Sequence, residues 1–101
     1  MNTKKEFQKV VAAIRADAKK ENPKAEYPKA MMTSQQMEKN TATVNCGHNP
    51  KESKKIAKRV LEDPRFHEFM SGCNVTHAIP EIVKDAYDNK VYQLRLRFAE
   101  G

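Results

Sequence analysis

The sequence predicts an α+β fold: three to four amphipathic helices packed on one face of a small sheet, two-stranded or slightly larger. Two observations lead there. Several segments space their apolar residues at helical intervals between recognisable caps. The C-terminal stretch KVYQLRLRF instead alternates, with Tyr92, Leu94, Leu96 and Phe98 set against Gln93, Arg95 and Arg97. That period of two marks a strand with one buried face and one basic face.

The first helix is the clearest element. Phe7, Val10, Val11, Ile14 and Ala18 share one face, and Lys5, Lys9, Arg15, Lys19 and Lys20 lie off it. Thr3 and Glu6 match a capping box. Asn22-Pro23 ends the helix, because the residue before proline avoids the helical region.

Residues 22–40 read as a long irregular connection. They hold Pro23, Pro28 and Tyr27, and the methionines Met31, Met32 and Met37, with a short helix starting near Thr33 or Ser34. A connection of this length is unusual in a small domain. Its methionines either fill gaps in the core or meet a partner, since thioether side chains adapt to varied surfaces.

Thr41–Cys46 alternates small apolar and polar residues as a short strand. It is expected to pair with the C-terminal strand. A second helix follows, with Asn49 as its cap, Pro50 in its first turn and Ile56, Ala57, Val60 and Leu61 on its apolar face. Asp63-Pro64 interrupts it. A further short helix carries Phe66, Phe69 and Met70 and stops at Gly72. Ile79, Ile82, Val83, Ala86 and Tyr87 then form a third amphipathic stripe with Pro80 near its start and Asn89 near its end, which predicts one more helix. With the pieces on either side of Asp63-Pro64 counted as one kinked helix, the expected order is α–β–α–α–β.

The 101 residues suit a single domain spanning 1–101. Hydrophobic residues make up 39% and charged residues 32%, enough to fold, and no apolar run approaches the roughly 20 residues of a membrane helix. The start MNTKKEFQKVV lacks an apolar signal core, so a cytoplasmic protein with reduced thiols is expected, with no membrane partner. Nineteen Lys and Arg against thirteen Asp and Glu give a net charge of +6, which favours polyanionic partners and also aids solubility.

One stretch raises a metal question. Cys46-x-His48 and Cys73-x3-His77 supply two thiolates and two imidazoles, a permitted set for structural zinc. Zinc knuckles, however, use Cys-x2-Cys and His-x3–5-His spacing, which a Cys-x-His pair does not match. The plainer alternative is that Cys46 is a small buried hydrophobe at a strand end and Cys73 sits beside a helix end. No cofactor is expected otherwise.

Catalytic signals are absent from the sequence. There is no nucleophile elbow and no glycine-rich phosphate loop, and the carboxylates lie mostly on helix faces shared with lysine. Binding without catalysis is the expectation. Lys51, Lys54, Lys55, Lys58 and Arg59 crowd the second helix, and Arg95 and Arg97 project from the last strand. If they meet in space, they form one positive surface suited to nucleic acid or a nucleoprotein assembly. A lysine-rich solvated helix is the commoner origin of such a pattern. The Asp63-Pro64 corner is too short, and lacks the glycine, for a helix–turn–helix. Tyr27 offers a ring for base stacking. Two alternatives stand beside this: a small adaptor or inhibitor docking on an acidic surface of a nucleic-acid-processing protein, with Tyr27 and the methionines in contact, and a zinc-stabilised module. The sequence leaves the oligomeric state open.

Overall fold

The computed structural model describes residues 3–99. Its elements run α1 (Thr3–Glu21), β1 (Lys29–Met31), α2 (Ser34–Glu38), β2 (Thr41–Gly47), α3 (Pro50–Glu62), α4 (Pro64–Gly72), β3 (Val75–Lys84) and β4 (Lys90–Phe98). The fold is α+β, with four helices among the described residues and one four-stranded antiparallel sheet in the order β1-β2-β4-β3.

The expected pairing of the 41–46 strand with the C-terminal strand forms the centre of the sheet. Ala42 lies opposite Leu96 and Val44 opposite Leu94. These four, with Cys46 and Phe98, face the helices and are buried. From α1 come Phe7, Val10, Val11 and Ile14, from α3 Val60, and from α4 Phe66 and Phe69. The rings of Phe7, Phe66 and Phe98 all meet Phe69, with centroids 5.8 to 6.3 Å apart. Tilted and edge-on contacts of this kind favour a defined packing over a loose one.

Local sequence sets the helix boundaries. The Asn49 side chain accepts from the Lys51 and Glu52 amides, and Pro50 opens α3 without needing a donor. Asp63 ends α3 and caps α4 by accepting from the Arg65 amide. Thr3, expected to cap α1 together with Glu6, already belongs to the helix.

Two expectations need correction. The amphipathic stripe at Ile79, Ile82, Val83, Ala86 and Tyr87 is no helix. Residues 75–84 form the edge strand β3, paired with β4 from Val75 opposite Phe98 to Lys84 opposite Lys90. Val75, Thr76, Ile79, Ile82 and Val83 are β-branched, which suits a pleated surface, and Pro80 is tolerated at a sheet edge. A turn closes the hairpin: Asp85 Oδ1 accepts from the Tyr87 and Asn89 amides, both at 2.9 Å. Asp88 there takes the left-handed conformation, φ 64°.

The 22–40 connection is more ordered than its composition suggests. It contains β1, whose Ala30 pairs with Val44, and α2, whose Thr33–Gln36 capping box is complete. The sheet therefore has two more strands than the pair legible in the sequence.

Candidate nucleic-acid interface

Helices α1, α3 and α4 cover one side of the sheet, so alternation along each strand decides what the other side carries. On β4 that second side bears Gln93, Arg95 and Arg97. The register sets Met31 and Thr43 in one row with Arg95 and Ile79, and Thr41 in another with Arg97 and His77. The short α2 caps only the β2 end of this side. Gln36 Nε2 donates to Thr43 Oγ1 at 3.2 Å, and Thr41 Oγ1 donates to the Gln36 carbonyl at 3.4 Å. Thr43 is buried as a result. Beyond it, the β4–β3 half of the face stays open.

A depression of about 350 Å³ occupies that open half, lined by Lys39, Thr41, His77, Ile79, Arg95 and Arg97. Lys39 enters from the end of α2, the arginines form the floor and His77 and Ile79 the far wall. Arg95 Nη1 is 3.8 Å from Glu81 Oε2, a loose contact, and Glu81 also accepts from Gln93 Nε2 at 2.6 Å. Among the described residues, Arg97 and Lys39 form no ion pair. The depression thus holds one ammonium, two guanidinium groups and a histidine, with one carboxylate at its edge. Met31 and Ile79 add apolar surface at 44% and 47% exposure.

The expected single positive surface divides in two. Lys51, Lys54, Lys55 and Lys58 are exposed on α3, in the layer that covers the opposite side of the sheet from Arg95 and Arg97. Arg59 leaves that ridge: it binds Glu21 at the end of α1 at 2.5 Å. The hydrogen bond lowers the Glu21 pKa and raises that of Arg59. Lys39 was not singled out in the sequence. It becomes visible only once α2 brings it beside β4.

The cysteines and histidines are not brought together. Gly47 lies opposite Tyr92 and His77 opposite Arg97. Cys46 and His48 therefore sit about 16 Å along the sheet from Cys73 and His77. Cys46 points into the core, where burial pushes its thiol up to about 12. His48 is exposed; its Nδ1 donates to the Lys90 carbonyl at 3.0 Å, and its ring meets Tyr27 edge-on at 6.5 Å. Cys73 caps the end of α4, and His77 stands on the open face. Among the described residues, no group of three or more His, Cys, Asp or Glu is arranged to hold a metal ion.

Tyr27 is half-buried beside His48, with Lys29 Nζ 5.4 Å from its ring centroid. Tyr92 is half-buried on the helix-facing side of β4. The open face therefore carries no aromatic ring from either. Met32 packs against the core, while Met31 and Met37 are exposed. No helix among the described residues is long and apolar enough to cross a membrane.

No family model matches the chain, and neither curated proteins nor solved structures provide a match.

Proposed function

We propose that the protein binds nucleic acid, without catalysis, through the open half of its sheet. The observation that supports this is the depression in which Arg95, Arg97 and Lys39 converge with His77 beside a single carboxylate. Guanidinium groups pair well with phosphate oxygens because their donors form a planar fork. Without rings for stacking on this face, contacts would go to the backbone, which positions a chain but carries little sequence information.

The test is a titration of labelled single-stranded DNA and RNA across a range of salt. Affinity should fall steeply between about 50 and 200 mM salt as counterions are released. Arg95→Glu with Arg97→Glu should weaken binding at least tenfold. Undiminished affinity in that folded variant would remove the basis of the proposal.

A second possibility is docking on an acidic protein surface, as an adaptor or inhibitor. Met31 and Ile79 favour it, because apolar side chains beside arginine suit a protein interface core. A protein partner that stays bound after nuclease treatment, together with indifference to free nucleic acid, would select this alternative.

A further inference from the structure

A second basic depression lies on the other flank of the molecule, between α1 and β1. Gln8, Arg15, Lys19, Lys29 and Ala30 line it, with Pro28 at its base. Arg15 and Lys19 are four residues apart on α1 and so share a face. Lys29 joins them from the edge strand, where its Nζ rests 5.4 Å from the Tyr27 ring centroid and must swing from that ring to meet a ligand here. No carboxylate lines this space.

The reason lies in how α1 places its acids. Asp17 and Glu21 are held on the helix's other side, Asp17 by Arg65 Nη2 at 2.7 Å and Glu21 by Arg59 at 2.5 Å. Glu6 lines a different cavity, with Lys9, Arg65 and Glu68. The flank facing β1 is left with cations and one amide. Among the described residues, Arg15, Lys19 and Lys29 form no ion pair. The Arg15 Nε is moreover buried without a hydrogen-bond partner. An unmet buried donor is costly, so a small shift of the Arg15 side chain that let Nε meet an acceptor in the depression would be favourable.

We infer that this depression is a phosphate-binding subsite in which Arg15, Lys19 and Lys29 take phosphoryl oxygens and Gln8 adds an amide. Lys29 ties it to the sheet: its strand lies two strand spacings, about 10 Å, from β4. The inference rests on the proposed nucleic-acid function in one respect, that the phosphate belongs to a strand running from Arg95 and Arg97 around the β1 edge.

The experiment has two arms that separate the subsite from that function. In the first, the Arg15 Nε–Hε resonance of nitrogen-15-labelled protein is followed while inorganic pyrophosphate is added. A saturable shift is expected, weakened at least fivefold in Lys19→Gln with Lys29→Gln. A resonance that does not respond, or responds equally in that variant, overturns the subsite whatever the protein does with nucleic acid. In the second arm, the same variant is titrated with a single-stranded oligonucleotide across salt. The slope of log affinity against log salt should fall by about 1.4, the amount for two lost phosphate contacts. An unchanged slope, with the wild type still binding, overturns the continuation of the strand into the depression. Saturation by pyrophosphate with no oligonucleotide binding by the wild type upholds the subsite and removes the sheet-face function instead.

Discussion

Arg59 of α3 reaches Glu21 at the end of α1 through two hydrogen bonds, at 2.5 and 3.2 Å. This takes one of the five cations of α3 out of the exposed ridge and turns it into a tie between helices. The two side chains remain 34% and 68% exposed, so solvent screens the pair. Arg59→Ala should therefore lower stability by less than about 1 kcal/mol in urea. It should leave oligonucleotide affinity within twofold, whereas Arg97→Ala should lower affinity and leave the urea midpoint in place.

The lysine ridge gives a contrasting expectation. Lys54→Glu, Lys55→Glu and Lys58→Glu together reverse charge on the side facing away from the open depression. That triple variant should shift oligonucleotide affinity less than Arg95→Glu with Arg97→Glu, which carries fewer changes. The reverse order in a salt-matched titration would move the interface to α3.

Asp63 sets the corner between α3 and α4. Its carboxylate accepts from the Arg65 amide at 2.8 Å and from the Arg65 side chain at 3.0 and 2.8 Å. Asp63→Ala should cost on the order of 1–2 kcal/mol, read as a lower urea midpoint. The pH dependence follows from the Arg65 hydrogen bonds, which hold the carboxyl below its ordinary value. A group lowered on folding contributes stability above its unfolded pKa, about 3.9, and loses it as pH falls through the folded value. Stability of the wild type should thus decline below about pH 4, and Asp63→Asn should show a shallower acid limb.

Cys46 should be inert to thiol reagents in the folded protein, since burial keeps it protonated at neutral pH. Its modification should track global unfolding when measured by mass after a denaturant pulse. A chelator should leave the melting temperature unchanged, because Cys46 and His48 lie far along the sheet from Cys73 and His77.

Ile82 separates the strand from the helix its sequence suggested. It is 58% exposed on β3, so Ile82→Lys should change stability by less than about 0.5 kcal/mol. In an amphipathic helix the same side chain would face the core, and the change would be severe.

The elements readable in the sequence were those whose signals were local. Phe7 to Ala18 repeat at helical spacing, Asn49-Pro50 and Asp63-Pro64 punctuate α3, and Tyr92 to Phe98 alternate without interruption. The stripe from Ile79 to Tyr87 failed because five apolar residues at spacings of three, one, three and one fit a helix, while Ile79, Ile82 and Val83 also fit an edge strand, with Ala86 and Tyr87 in the turn beyond it. Only hydrogen bonding to β4, a long-range event, decides between them. Strand β1 is too short for any periodicity to appear, and Ala30 earns its place by pairing with Val44. Of the candidate site, Arg95 and Arg97 were legible from alternation alone. Lys39 and the Arg15–Lys19–Lys29 grouping were not, because each is assembled across elements whose pairing no single segment encodes.

Pro80 sits within β3, the longer of the two margins of the sheet. A ladder accepts proline where its nitrogen points away from the paired neighbour, so the missing amide hydrogen falls on the free side. A foreign strand laid along this border would find a gap in the row of donors that it needs for zippering. The molecule can therefore display a long hairpin without offering it as a seed for fibrous growth.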